Sequence, residues 1–374
     1  MIYLDYAATT PMSEEALYVF NEATKRYFGN PSSLHEYGTM ANAALETGRD
    51  SWAQMIGGVS EGVFFTSGGT EANQLAIQSL IDGNKNKGNH LITTEVEHSS
   101  IYNLFLKVEK ETDFEVTYLS LNEAGHINIE ELKNAIRPST ILASIHSVNG
   151  ETGFIQPIKQ IGALLKERNV LFHTDFVQGF GNVPIHVNDA NIDALSIAGH
   201  KIYGPKGTGM CYINPRVDWH GQIPNTTHEG GFRPGTVDVP SILAFTTAAQ
   251  QTFKKMEENI IKMTELRTYF IEGLKAREID AAIYESQKAQ VSQIIGLSFA
   301  KLQGQYIMLE CNKNGIAIST GSACQVGQQS PSRTLLSLGK TKDEANQLVR
   351  ISFGKMTTKA ELDQLIDVLA RIVT

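Results

Sequence analysis

Residues 64–77, FFTSGGTEANQLAI, set the architecture. Phe64–Thr66 is a short apolar run, Ser67-Gly68-Gly69 is a turn, and an alanine-, leucine- and isoleucine-bearing helical pattern starts at Glu71: strand, glycine turn, helix. The unit recurs. From about residue 60 to residue 213 the runs GVFFTS, HLITTEVEH, EVTYLSL, ILASIHSV, VLFHTDF, DALSIAG and GMCYIN alternate with amphipathic stretches such as EANQLAIQSLID and PIKQIGALLKERN. That alternation predicts an α/β fold with a mostly parallel sheet between two helical layers. Such sheets take their ligands where loops leave the carboxyl ends of the strands.

Farther along, residues 239–274 read as one long connecting helix. The strand-like SQIIGLSFA (292–300) and LVRISFG (348–354) then flank helical segments ahead of KAELDQLIDVLARIV, which predicts a smaller α+β domain. With 374 residues the chain exceeds what one core usually serves. The expected division is 12–250 for the large domain and 1–11 with 251–374 for the small one.

A hydrophobic fraction of 41% beside 19% charged residues is that of an ordinary globular protein. The net charge of −8, with no basic block, argues against direct nucleic-acid binding. No apolar run is long enough for a membrane span, and the opening MIYLDYAATT has no basic region and carries Asp5. A cytoplasmic location is expected. The three cysteines share no metal-ligand spacing, so no metal site is predicted. Cys211 and Cys311 lie in apolar segments and read as small hydrophobes. Cys324, in STGSACQVG (319–327), is crowded by glycine and serine and followed by QVGQQSPS, the composition of a surface loop.

Four groups close successive strands. Gly69 and Thr70 present helix-start amides suited to a phosphate dianion; His98 ends TTEVEH; Asp175 ends HTD, with Gln178 following; Lys201 follows DALSIAGH. A partly desolvated lysine is nucleophilic toward carbonyls and pyridoxal phosphate (PLP). A carboxylate for the ring nitrogen, a phosphate cup and a stacking imidazole are the other groups that cofactor needs.

With those residues in view the sequence resembles the cysteine desulfurases of the NifS/IscS type, within the class V aminotransferase-like group of fold-type I PLP enzymes. The motifs span nearly the whole chain: YLDYAATTP, GNPSSLHEYG, TSGGTEANQLAI, EVEHSS, VNGETGFIQPI, HTDFVQ, GHKIYGPKG, RPGT, STGSAC and VRISFG. The resemblance implies a seven-stranded sheet, PLP as cofactor and L-cysteine as substrate. A homodimer is implied too, with a sulfur-acceptor protein that serves iron–sulfur scaffolding or the thiolation of tRNA or thiamine. It also implies roles for single residues. Lys201 would hold PLP, Asp175 its nitrogen and Gln178 its hydroxyl, while His98 stacks on the ring and moves protons. Gly69, Thr70 and His200 would take the phosphate, with Thr236 arriving from the other subunit. Asn149 and Arg350, assisted by Asn30, would receive the substrate carboxylate, and Cys324 would accept sulfur as a persulfide.

The sequence departs from the family pattern at Phe176, where a small residue is usual against the cofactor, at Ala198, where a serine usually meets the phosphate, and in THEGGF (227–232). Losing one phosphate hydrogen bond is expected to weaken cofactor binding by about 1.5–3 kcal/mol. Two alternatives stay open at this point: a class V aminotransferase or other PLP-dependent β-lyase, and a catalytically degenerate scaffold.

Overall fold

The computed structural model describes residues 1–286, 289–321 and 330–373. In chain order its elements begin with β1 (Ile2–Tyr3), α1 (Glu14–Arg26), α2 (Glu36–Ile56), β2 (Val63–Thr66), α3 (Gly69–Asn84), β3 (His90–Thr94), α4 (Ser99–Glu111) and β4 (Glu115–Leu119). They continue through α5 (Ile129–Ala135), β5 (Thr140–Ser144), α6 (Ile158–Glu167), β6 (Leu171–Asp175), β7 (Ala194–Ala198), β8 (Gly209–Ile213) and α7 (Val239–Lys254). The remainder are α8 (Met256–Ala276), β9 (Ala282–Ile283), β10 (Ile294–Ser298), α9 (Gly304–Lys313), β11 (Ile316–Ala317), α10 (Arg333–Ser337), α11 (Lys342–Ala345), β12 (Val349–Ser352) and α12 (Lys359–Val373).

The central sheet has seven strands in the order β2-β8-β7-β6-β5-β3-β4, and each corresponds to one of the seven apolar runs. Strands β3 to β7 pair in parallel, whereas β8 is antiparallel to both neighbours. The cause lies in the link from β7 to β8: residues 199–208 are too few for a crossover helix, so the chain can only turn back. Every residue of β2, β3, β5, β7 and β8 is buried. Covered on both faces, these strands read as continuous apolar runs with no alternation. Phe64 and Phe65 show the pleat, the first packing with Ile77, Leu91, Phe105 and Phe232 on one face and the second with Trp52, Phe172 and Phe245 on the other.

Residues 239–274 form two helices, not the single one expected. Lys255 breaks the run at φ −101° and ψ 13°. The reason is that the two halves serve different cores. Phe245 and Ala249 of α7 pack beneath the central sheet, while Met263, Leu266, Phe270 and Leu274 of α8 join a second core with Leu297, Ile351 and Leu365. A straight helix cannot aim both stripes. The second core covers the antiparallel sheet β12-β10-β9. Leu4 enters that core as well, because β1 pairs with β11 and Asp5 bridges to Ser352. Residues 5–10 thereby run from the C-terminal sheet to the turn after β7.

Among the described residues, no helix is long and apolar enough to cross a membrane and no cluster of three or more His, Cys, Asp or Glu is placed to hold a metal.

Candidate active site

Lys201 closes a single helical turn, Gly199–Lys201, directly after β7. A side chain at Gly199 would stand 2.3 Å from Thr208 Oγ1, so glycine is what lets the two arms of this turn approach. The Lys201 ammonium donates to the carbonyls of Ala7 (2.5 Å) and Ala8 (2.8 Å), and Gln178 Nε2 donates to the same Ala7 oxygen at 2.9 Å. The His200 carbonyl accepts from the backbone N–H and hydroxyl of Thr10, and its ring Nδ1 lies 3.2 Å from Thr9 Oγ1. Burial, followed by the positive charges of Lys201 and Lys206, lowers the His200 ring to about 4, so it is neutral at physiological pH.

Asp175 ends the neighbouring strand β6. Asn73 Nδ2 donates to one carboxylate oxygen at 2.8 Å and the Val177 N–H to the other at 2.9 Å. Burial raises the carboxyl above its ordinary value, opposed by the charge of His98 and by those two hydrogen bonds. His98 caps α4, its Nδ1 accepting from the Ser100 N–H and lying 2.8 Å from the Ser100 hydroxyl. Asn73 Nδ2 also reaches that hydroxyl at 3.1 Å. Imidazole, hydroxyl, amide and carboxylate therefore form one chain. Because Nδ1 accepts, a neutral His98 carries its proton on Nε2.

The start of α3 is open. Its cap residue Gly68 sits at φ 153° and supplies no side-chain hydrogen bond to the first turn. A side chain at Gly68 would meet nothing within 4 Å, whereas one at Gly69 would stand 2.8 Å from Val177 and 3.2 Å from Ala198. With no side-chain cap on the first turn and Thr70 exposed, this helix start beside the loop that follows Asp175 suits an anion. Glu71, turned back on the Ser67 N–H, is gripped by Arg233 at 2.7 Å. Arg233 thereby docks the RPGT segment beside α3, and Thr236 remains exposed. An amine, a buried acid and an uncapped helix start at adjoining strand ends fit a pyridine aldehyde that carries a phosphate.

Arg350, on β12, is buried. It donates to Asp5 Oδ1 at 2.8 Å and to the Gly150 carbonyl at 3.0 Å, and its buried Nε–H has no partner among the described residues. That open donor suits a second carboxylate. Asn149 spends its amide oxygen on Glu151 and Thr152 and donates from Nδ2 to Thr334, so it shapes the loop beside Arg350. Asn30 lies in an exposed turn, where its side chain accepts from the Ser32 N–H.

Phe176 corrects an expectation. It is buried in the core beneath the sheet, with Phe172 and Phe180 in the same cluster, and so packs as a core side chain. Val177, one residue on, approaches the α3 start instead. Ala198 does stand at the helix start. Cys324 lies outside the described residues. Cys211 and Cys311 are buried, and burial drives both thiols up, Cys311 to about 12.

Asn73 and Asp5 join the site without having been singled out. Asn73 carried a signal, a polar side chain in the apolar stripe of Ala72, Ala76 and Ile77. Asp5 carried none, because its partner lies hundreds of residues away.

Residues 2–365 match the family described as Aminotransferase class-V, and the chain belongs to that family of PLP-dependent enzymes. It is 48% identical to the putative cysteine desulfurase NifS of Bacillus subtilis over 368 residues, 98% of this chain and 93% of that protein. Against the cysteine desulfurase IscS of Dictyoglomus turgidum the identity is 38%, over 100% of this chain and 94% of the relative. A solved structure described as a NifS-like protein superposes with a TM-score of 0.92 at 28% identity, over 99% of this chain and 98% of the other. SspA in complex with cysteine gives a TM-score of 0.80 at 32% identity, covering 94% and 99%.

Proposed function

We propose that the chain is a PLP-dependent cysteine desulfurase, which takes sulfur from L-cysteine, releases L-alanine and loads the sulfur on Cys324 for delivery to an acceptor protein. The observation that carries this is a convergence. Lys201, Gln178, His200 and Arg350 all bond to residues 5–10, which brings an amine able to hold an aldehyde and a guanidinium with an open donor to one place. A free amino acid needs both.

When bound, the cofactor supplies an electron sink conjugated to the amino acid's α- and β-carbons. The chain's own residues do the rest. Lys201 would hold the cofactor aldehyde, and its amine, when free, would take the α-proton. Asp175, buried and above its ordinary value, would stabilise a protonated ring nitrogen better than a solvated carboxylate, because the charges would meet away from water. Gln178 would hold the ring hydroxyl. His98 would pack on the ring and carry a proton between the thiol of Cys324 and the leaving substrate. Gly69, Thr70 and neutral His200 would hold the phosphate, with Thr236 serving the other subunit of a homodimer. Arg350, beside the Asn149 loop and with Asn30, clamps the carboxylate. The Cys324 thiolate attacks the substrate sulfur: an S–S bond forms, the Cβ–S bond breaks, and the electron pair left on Cβ takes a proton to become the methyl group of alanine. Thiol plus cysteine gives persulfide plus alanine, so atoms and electrons balance.

The test is Cys324→Ala with borohydride mapping of Lys201. The desulfurase variant keeps the pyridoxyl label on Lys201 but forms neither alanine nor persulfide. Undiminished turnover with amino-group transfer to a keto acid would instead mark an aminotransferase.

A further inference from the structure

We infer that Arg333 is a positioning residue for His98, an inference that rests on the proposed desulfurase reaction for its catalytic consequence. Arg333 opens α10, in the part of the chain that follows position 324. Its guanidinium forks onto the loop Glu95-Val96-Glu97, one nitrogen donating to the Glu97 carbonyl at 2.7 Å and another to the Glu95 carbonyl at 3.2 Å. The same cation lies 3.9 Å from the centre of the Tyr102 ring, on the first turn of α4. Arg333 therefore touches the residue just before His98 and one a helical turn after it.

The loop is pinned from its other side too. The Glu97 carboxylate points inward, accepting from the Thr94 hydroxyl at 2.8 Å, the His146 N–H at 2.9 Å and His146 Nδ1 at 2.8 Å. Its carbonyl points outward to Arg333. Two carbonyls converging on one region repel unless a cation or paired donors meet them, and a planar guanidinium supplies both at fixed spacing. With the peptide planes on either side of Val96 held, His98 enters at φ −55° and ψ 149°, the extended geometry its capping bond to Ser100 requires.

Neighbouring residues extend the clamp. The Ser332 hydroxyl donates to Glu151, and Thr334 accepts from Asn149. Ser332, Arg333 and Thr334 thus tie one short stretch to both the His98 loop and the loop beside Arg350. Of the three, only Arg333 bears on the acid–base group.

Arg333→Met and Arg333→Lys in the full-length protein test this, read by amide exchange with and without PLP and by alanine formation from cysteine. Arg333→Met should raise exchange in residues 95–102 by about tenfold, cofactor or not, and leave distant segments unchanged. It should lower kcat by about 10–100-fold with KM for cysteine within about twofold, since a displaced imidazole impairs proton transfer and not carboxylate binding. Arg333→Lys keeps a cation over Tyr102 but reaches one carbonyl, so it should fall between. Unchanged exchange in 95–102, or a rise spread over the whole chain, would overturn the assignment, as would a change in KM alone. If wild-type protein makes no alanine from cysteine while Arg333→Met still loosens 95–102 selectively, the positioning role stands and the desulfurase proposal falls.

Discussion

Lys201 Nζ and Gln178 Nε2 donate to one acceptor, the carbonyl of Ala7, at 2.5 and 2.9 Å. One backbone oxygen therefore sets the position of both the amine proposed to hold the cofactor and the amide proposed to hold its hydroxyl. Lys201→Ala should leave Gln178 in place and keep the fold, since the side chain contributes no core packing. Borohydride reduction should label wild-type Lys201 and nothing in the variant, with alanine formation down by more than about 10³-fold for loss of nucleophile and base together. A labelled lysine elsewhere would sink the assignment.

Ala198 places its methyl group 3.2 Å from where a side chain on Gly69 would begin, beside the helix start proposed to hold the phosphate. Ala198→Ser should tighten PLP by about 1.5–3 kcal/mol, a Kd lower by about 10–150-fold in fluorescence titration of the apoprotein. No gain would mean the phosphate sits elsewhere.

Asp175 has opposite effects on the empty and the loaded protein. Its folded value is raised, chiefly by burial, so its contribution to stability is fully present below the unfolded carboxyl value and is lost as pH rises through the folded one. Asp175→Asn should therefore raise the melting temperature of the apoprotein at pH 7, with the advantage fading toward pH 3.5. Turnover of the loaded variant should fall about 10²–10³-fold for want of the charge that stabilises the ring proton. A less stable apo variant at pH 7 would contradict the burial argument.

His173 is fully enclosed between Ser144 and Ser196, and burial lowers it to about 4. His200 moves the same way. For a depressed histidine, folded stability is complete above the unfolded value near 6.5 and drains as pH falls toward 4. Urea unfolding should show this loss between pH 6.5 and 4, about 3 kcal/mol from His173 alone. His173→Gln should flatten that slope by one proton.

Arg350→Lys removes a planar fork while keeping a charge for Asp5. KM for cysteine should rise roughly 30-fold, about 2 kcal/mol, and the absorbance of the bound cofactor should not move. Normal cysteine saturation in this variant would show that the carboxylate binds elsewhere.

Much of this was written locally. All seven central strands could be read, five of them because burial on both faces makes each a short apolar run, and four site groups close strands where the topology must place a ligand. What escaped depended on distance or on turn length. The antiparallel direction of β8 follows from a tight link whose geometry only the folded turn at Gly199–Lys201 reveals. The break at Lys255 has no proline or glycine to announce it, since it exists to aim two stripes at two cores. Phe176, noted as a departure from the family pattern, needs its fold to be understood, because the side chain after Asp175 is buried in the core. Arg333 had only the look of a surface cation until the carbonyls of Glu95 and Glu97 stood opposite it.

The strap formed by residues 5–10 is translated early, its partners at 200–203 midway, and those at 350–352 near the end. The lysine can therefore reach the Ala7 and Ala8 carbonyls once its own segment is made, whereas the guanidinium reaches Asp5 only when the last strand is complete, so the two ends of the reaction centre are assembled in sequence.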